Sequence, residues 1–165
     1  MRVKGILKVR SSKSIVSSFN PDKLRETLLF HGTPFANISS ILSAGFKPPV
    51  QASAHGKAIY FSKSAKTAMW FCRPDSGPVP DRQNVFLLVC NVATGRVLTL
   101  DHPDATMTQQ KLASAQRGFD SLHIPAGRIV SKVLEEEQVV YAASQAVPVY
   151  IANVNIVVPD SSLDS

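Results

Sequence analysis

The stretch of residues 27–34 constrains the fold most, because an apolar strand runs without a spacer into a polar turn and then a helix. Thr33 is a predicted N-cap, since its hydroxyl can accept a free amide of the first turn, and Pro34 suits the first helical position. Gly32 lets a ligand approach the backbone closely. His31 therefore marks a candidate binding site. The alternative interpretation is a strand end whose histidine is satisfied within the core.

The composition predicts one soluble domain. The chain has 165 residues, 44% of them hydrophobic, which is enough for a core of its own. No apolar run approaches the ~20 residues of a membrane span, and the N-terminus lacks the apolar core of a secretory signal. Cys72 and Cys90 lie among apolar residues without ligand-like spacing, which predicts buried thiols and no metal centre. We therefore expect an intracellular protein, nuclear or cytoplasmic, with no membrane partner.

The basic charge is concentrated at the N-terminus. The formal net charge is +6, and residues 1–25 carry all of this excess. Three interpretations remain open: a basic patch for the phosphate backbone of a nucleic acid, a mitochondrial targeting segment, and the solvated face of a strand. Basic residues at even positions and apolar residues at odd positions between Arg2 and Arg10 favour a half-buried strand. Lysines on such a strand also block edge-to-edge pairing.

Apolar periodicity predicts many strands and few, short helices. Further strands are predicted at residues 57–61, 85–92, 96–100, 129–133, 138–142 and 149–158, and short helices at 14–19, 62–71 and 109–116. Residues 96–100 should pair with residues 85–92 across a turn at Thr94 and Gly95. This pattern indicates an α+β fold with packed sheets rather than a parallel βαβ fold. We expect one domain over residues 1–158 and a disordered tail over 159–165.

The helix that follows Pro34 is predicted to have one buried face. Its apolar residues recur at helical spacing, so all four should face the core: Phe35, Ile38, Ile41 and Leu42. Gly45 should end this helix, and the prolines that follow should prevent it from resuming.

Three separated features occur in order along the chain: His31 and Gly32 after one strand, Tyr60 in a second, and Glu137 leading into a third. They lie in the segments 28–33, 56–62 and 137–141. These segments resemble the three motifs of the catalytic domain of the poly(ADP-ribose) polymerase (PARP) family. Residues 6–19 are similar to the strand and turn that begin that domain, so the resemblance covers nearly the whole chain. It implies the ADP-ribosyltransferase fold, with two packed, mainly antiparallel sheets and a few short helices.

The resemblance implies an enzyme that breaks the nicotinamide–ribose bond of NAD and passes ADP-ribose to an acceptor. His31 would hydrogen-bond the adenosine ribose, and the backbone of Gly32 would hold the nicotinamide carboxamide, with Thr33 beside them in the NAD site. Tyr60 would stack on the nicotinamide ring. Glu137 would bind the 2′-hydroxyl of the nicotinamide ribose and favour the positive charge that develops on that sugar.

The choice of Glu137 needs more than charge, because it belongs to a run of three glutamates that is commonly a solvated surface. Strand alternation turns Glu135 and Glu137 to one face and Glu136 to the other. Alignment of Val139, Val140 and Tyr141 with the third motif selects Glu137.

A helix after Tyr60 would complete the nicotinamide pocket. Thr67 and Trp70 are three apart and would share a helix face, so Thr67 would bond the carboxamide and Trp70 would stack on the ring. An alternative alignment uses Ser64 with Thr67. Trp70 also has a purely structural interpretation as a core residue.

The chain departs from the family pattern in two places. The loop of residues 46–55, which would cover the adenosine of NAD, is short. Residues 101–128, where an acceptor surface is expected, do not resemble any specific motif. We expect transfer of single ADP-ribose units rather than polymer, to a protein acceptor or to the chain itself. A nucleic acid bound by the basic N-terminal segment remains an alternative acceptor or activator, and simple NAD hydrolysis is a further outcome.

Two other functions compete with this one. The first is a non-catalytic module that binds NAD or a partner on the same fold. The second is an NAD-dependent RNA 2′-phosphotransferase, whose first motif is similar. Tyr60, where that enzyme would have a histidine, and Glu137 argue against the phosphotransferase.

Overall fold

The computed structural model describes residues 1–19, 25–73, 83–127 and 135–155. In chain order its elements are β1 (Arg2–Lys8), α1 (Lys13–Ser18), β2 (Glu26–Gly32), α2 (Phe35–Ala44), β3 (Ile59–Phe61), α3 (Ala65–Met69), β4 (Asn84–Ala93), β5 (Val97–Thr99), α4 (Gln109–Ser114), β6 (Ser121–Ile124), β7 (Glu137–Val140), a 3-10 turn (Ala143–Gln145) and β8 (Ala146–Asn155). The strand predicted at 129–133 and the tail at 159–165 lie outside the described residues.

The strands form two four-stranded sheets, ordered β1-β8-β4-β2 and β3-β7-β6-β5. All neighbouring strands are antiparallel except β5 and β6, which are parallel. The long strands β4 and β8 form the centre of the first sheet, where Leu87 and Leu88 are fully buried on opposite faces. The predicted α+β fold, with mainly antiparallel sheets and a few short helices, is confirmed.

Apolar clusters cover both faces of the first sheet. One cluster joins Leu29 and Leu88 to Ile59 and Phe61 of the second sheet. A cluster on the opposite face packs α3 against β4 and β8. The end of β2 is therefore held between the second sheet and α3, which places residues 31 and 32 where several elements meet.

The prediction for the first strand is correct in its secondary structure and wrong in its burial. β1 is a strand, but all seven of its residues are exposed, including Val3, Ile6 and Leu7 at 52%, 61% and 67%. Among the described strands, β1 lies at the edge of its sheet and pairs with β8 alone. Alternation predicts which side chains share a face, but burial also requires a covering layer, and no described residue supplies one.

The boundary between β2 and α2 also differs from the prediction. Pro34, not Thr33, is the N-cap residue, and α2 begins at Phe35. The β2–β4 pairing continues through Gly32, so the chain turns one residue later than expected. The Thr33 hydroxyl instead accepts a hydrogen bond from the Asn37 side chain at 3.1 Å.

One side of α2 faces the core as expected, with one exception. Ile38 is buried, and Ile41 and Leu42 pack against the core. Phe35 is 67% exposed and contacts only the ring of Phe86 among the described aromatic residues. As the first helical residue, Phe35 lies beyond the edge of the core. The helix ends at Gly45 as predicted.

The predicted pairing of residues 96–100 with 85–92 is wrong. β5 belongs to the second sheet, where it pairs in parallel with β6, a strand that the sequence analysis missed. Gly95 has a φ of 56°, a conformation that favours glycine and redirects the chain between the sheets. The Asp120 carboxylate then accepts a hydrogen bond from the Arg96 amide at 2.8 Å.

The two thiols differ in burial. Cys90 is fully buried in β4, whereas Cys72 is half-buried, so the expectation of two buried thiols holds for Cys90 only. Neither forms a disulfide. The short helix expected near residue 109 is present as α4.

Candidate active site

A cavity of about 770 Å³ lies where β2, α2, β3, α3 and β7 meet. All the residues that the sequence analysis assigned to the site line it: His31, Gly32, Thr33, Tyr60, Thr67, Trp70 and Glu137. They come from three segments separated by tens of residues, and the two sheets bring those segments together.

His31 is held as a neutral imidazole of one tautomer. Its Nδ1 lies 2.8 Å from the backbone oxygen of Tyr60, and because a carbonyl only accepts, Nδ1 carries the hydrogen. Burial lowers the pKa of His31 to about 4. The rings of Phe46 and Phe61 pack against the imidazole, with centroids 4.9 and 5.4 Å away. Nε2 therefore carries a lone pair to which no described residue donates, and it can accept a hydrogen bond from a ligand hydroxyl.

Gly32 is the point of closest packing between β2 and α3. A Cβ at this position would lie 1.7 Å from the backbone oxygen of Ala68 and 3.3 Å from the Cβ of Phe71. Only glycine lets the α3 backbone approach the strand end this closely. The close approach brings Thr67 and Phe71 to the cavity wall.

The Tyr60 hydroxyl fixes the short segment that precedes it. Its oxygen accepts a hydrogen bond from the His55 amide at 3.0 Å and lies 2.8 Å from the Ser53 hydroxyl. Ser53 in turn donates to the Gly56 carbonyl at 3.2 Å. The phenol is thus oriented by the loop, and the loop is held at the cavity by the phenol.

Glu137 is the one member of the glutamate run whose side chain is buried, at 5% exposure. Its carboxylate forms no hydrogen bond to any described residue, and burial raises its pKa to about 7. Glu136 instead forms an ion pair with Lys63 at 3.3 Å, and Glu135 is exposed.

Two hydroxyl groups hold the backbone just before Glu137. The Thr67 hydroxyl accepts a hydrogen bond from the Glu135 amide at 3.0 Å. The Ser62 hydroxyl donates to the Glu136 carbonyl at 2.7 Å. Thr67 therefore links α3 to the segment that carries Glu137, and no described residue accepts the hydrogen of its hydroxyl.

The helix after Tyr60 is shorter than predicted, but Thr67 and Trp70 both reach the cavity. Ser64, the alternative candidate, caps α3, because its hydroxyl accepts a hydrogen bond from the Thr67 amide at 3.3 Å. Ser64 does not line the cavity.

Aromatic residues that the sequence analysis did not select also line the cavity: Phe30, Phe46, Phe61 and Phe71. In the sequence they are indistinguishable from core residues. Only Phe71, next to Trp70 in the turn after α3, carried a signal that could have been used. Within the described ranges, no group of three or more histidine, cysteine or acidic side chains could hold a metal ion. No helix in the described part of the chain has the length and apolar character of a membrane span.

Comparison with known proteins gives consistent matches. The model of the poly(ADP-ribose) polymerase catalytic domain matches residues 1–156. The chain is 31% identical over 143 residues to the poly [ADP-ribose] polymerase tankyrase of Caenorhabditis elegans, covering 79% of this chain and 6% of the relative. It is 32% identical over 136 residues to the mouse protein mono-ADP-ribosyltransferase PARP4, covering 75% of this chain and again 6% of the relative. The chain thus matches only a small part of these much longer proteins.

Proposed function

Because the chain belongs to the poly(ADP-ribose) polymerase catalytic-domain family, we propose that it transfers ADP-ribose from NAD to an acceptor and releases nicotinamide. The observation that carries this proposal is the buried carboxylate of Glu137 in the same cavity as His31 and Tyr60. Binding alone does not require a buried carboxylate with a raised pKa.

Glu137 acts on the nicotinamide ribose. As the bond to nicotinamide breaks, positive charge develops on that sugar, and a fixed carboxylate stabilises this transition state more than the ground state. In a site shielded from water the effect is larger than in solution. Glu137 also accepts a hydrogen bond from the ribose 2′-hydroxyl.

His31 and the residues around Gly32 bind the rest of NAD. The free Nε2 of His31 accepts a hydrogen bond from an adenosine ribose hydroxyl. The Gly32 backbone and the Thr67 hydroxyl hold the carboxamide, with Thr33 beside them. Tyr60 stacks on one face of the nicotinamide ring, and Trp70 provides the other wall together with Phe71.

The acceptor is a protein, including the chain itself, and single ADP-ribose units are transferred. This part of the proposal rests on how short the expected acceptor region between β5 and β6 is. Among the described residues, α4 is the only helix there. Nucleic acid remains a second acceptor or activator, since β1 exposes Arg2, Lys4 and Lys8 on one edge of the sheet. We also propose an intracellular location, nuclear or cytoplasmic, in keeping with free thiols at Cys72 and Cys90.

The test is to incubate the full chain with NAD, quantify nicotinamide and record intact mass for the chain and for added acceptor proteins. We expect nicotinamide release together with adducts of single ADP-ribose units. Adducts of many units would indicate polymer formation, and release without adducts would indicate hydrolysis. NAD binding without nicotinamide release would show a binding module and contradict the proposed transferase.

Thr67 provides a second prediction, because its hydroxyl orients the backbone before Glu137 and donates to the carboxamide. Thr67→Val keeps the shape but removes the hydroxyl, so we expect kcat/KM for NAD to fall at least about tenfold, equivalent to ~1.4 kcal/mol. Thr67→Ser should retain most of the activity. Steady-state kinetics of nicotinamide release measure both variants. Equal activity of the valine and serine variants would contradict a role for the hydroxyl.

A further inference from the structure

Tyr141 is a buried tyrosine that lies outside the cavity but is connected to it by a hydrogen bond. It directly follows β7, is 7% exposed and belongs to an apolar cluster that also packs against Tyr60. Its hydroxyl donates to the carbonyl of His55 at 2.8 Å, and it does not line the cavity. The strand that begins at Glu137 is therefore connected, at its far end, to the loop that precedes β3.

Hydrogen bonds to Gln145 fix the chain around Tyr141. The side-chain oxygen of Gln145 accepts from the amides of Tyr141 and Ala142 at 3.2 and 3.0 Å. Its Nε2 donates to the backbone oxygen of Asp120 at 2.9 Å, which ties this segment to the start of β6. The Tyr141 phenol thus projects from a backbone that is held on both sides.

A compact turn precedes β3, closed by Ser53 and Gly56, which exchange backbone hydrogen bonds of 3.0 and 3.2 Å. This turn carries both groups that hold the Tyr60 hydroxyl, the amide of His55 and the hydroxyl of Ser53. Among the described residues, the phenols of Tyr60 and Tyr141 make the side-chain hydrogen bonds that reach the turn from outside. One α-carbon separates the His55 carbonyl from the His55 amide, so a movement of the carbonyl also displaces the amide.

The ring of Tyr60 depends on this turn more than its backbone does. The backbone is held by the pairing of β3 with β7, and its carbonyl accepts a hydrogen bond from Nδ1 of His31 at 2.8 Å. The ring is held at its hydroxyl by the turn. Burial raises the pKa of the Tyr60 and Tyr141 phenols, so both keep their protons at neutral pH and Tyr141 remains a donor.

We propose that Tyr141 is a positioning residue for the donor: it holds the turn through His55 and so directs the Tyr60 ring on which nicotinamide stacks. This inference rests on the proposed transferase function. The adenosine half of NAD bonds to His31, whose contact with the Tyr60 backbone does not involve the turn. The effect of Tyr141 therefore falls on the nicotinamide half of the donor.

Tyr141→Phe removes the hydroxyl and keeps the ring. Calorimetric titration with nicotinamide, and separately with ADP-ribose, which has no nicotinamide ring, measures the two halves of the site. We expect the Kd of nicotinamide to rise about three- to tenfold, the range of aromatic stacking, and the Kd of ADP-ribose to stay within about twofold. KM for NAD should rise by a similar factor with kcat nearly unchanged, because stacking stabilises the ground state and the transition state alike. Partial unfolding would instead lower the number of binding sites for both compounds.

Tyr60→Phe tests whether the effect of Tyr141 passes through the Tyr60 hydroxyl. It removes the oxygen to which His55 donates, so the Kd of nicotinamide should rise by about as much as in Tyr141→Phe. Adding Tyr141→Phe to Tyr60→Phe should then change this Kd by less than about twofold, since two residues that act along one path are not additive.

Tyr150→Phe is the matched control, because Tyr150 does not line the cavity and its hydroxyl bonds to no described residue. It should bind nicotinamide like the wild type. An unchanged nicotinamide Kd in Tyr141→Phe, an equal loss of ADP-ribose affinity, or multiplying losses in the double variant would each overturn the proposal. Failure of the wild type to bind nicotinamide would overturn both the proposal and the donor site. The expected binding results without nicotinamide release from NAD would contradict the transferase function alone.

Discussion

Replacing Glu137 with glutamine should lower nicotinamide release by at least about 10²-fold, the loss seen when one group that stabilises transition-state charge is removed. Glutamine has nearly the same shape and can still bond a ribose hydroxyl, but it carries no negative charge to stabilise the cationic sugar. The matched control is Glu135→Gln, because Glu135 belongs to the same glutamate run and is exposed. Equal activity of the two variants would contradict the role of Glu137.

The same substitution should stabilise the fold at alkaline pH. The pKa of Glu137 is about 7 in the folded chain against 4.5 as the ordinary value, so the folded state favours the neutral acid. This stabilisation is fully present below the ordinary pKa of 4.5 and is lost as the pH rises through about 7, the pKa of Glu137 in the folded chain. The wild type should therefore lose at most about 3 kcal/mol between about pH 4 and pH 8, a loss that the glutamine variant escapes. Urea unfolding of both proteins at the two pH values measures the difference.

The raised pKa also predicts how activity depends on pH. Catalysis requires the carboxylate, so kcat/KM for NAD without peptide acceptor should fall about tenfold per pH unit below pH ~7. His31 adds no step in this range, because its pKa of about 4 keeps the imidazole neutral. Stability and activity at Glu137 thus have opposite requirements, as expected where function needs a buried charge.

The sequence predicted the parts of the site that depend on short contiguous motifs. β2 and β4 were found from their apolar runs, and the residues chosen from the three motifs all line one cavity. Among the glutamates, strand alternation separates only Glu136 from the other two; the alignment of residues 139–141 with the third motif selected Glu137, whose side chain is the buried one. The catalytic and NAD-binding roles of the residues chosen from the three motifs remain predictions.

The sequence could not predict features that depend on distant partners. The alternation of β1 predicts a strand but not the missing layer that leaves Leu7 exposed. β5 follows β4 closely, yet its partner is β6, because chain reversal at Gly95 leads into the other sheet. Phe46 and Phe61 read as core residues, and only the packed structure shows that they also border His31.

Gly32→Ala should strongly destabilise the fold. The added Cβ would lie 1.7 Å from the Ala68 oxygen and 2.7 Å from its carbonyl carbon. These are backbone atoms of α3, so no side-chain rotation relieves the overlap, and either α3 or the end of β2 must move. We expect a loss of about 3 kcal/mol or more in the free energy of unfolding, at or beyond the upper end of overpacking.

Gly5→Ala is the control for Gly32→Ala, since no atom lies within 4 Å of a Cβ at Gly5 and both glycines are in strands of the same sheet. Urea unfolding should leave the stability of Gly5→Ala unchanged within about 0.5 kcal/mol. If Gly32→Ala folds at low temperature, it should have lost nicotinamide release, because displacing α3 moves Thr67 away from the backbone before Glu137. If Gly32→Ala were as stable as the wild type, α3 would not pack on the end of β2, and the position of Thr67 in the site would be wrong.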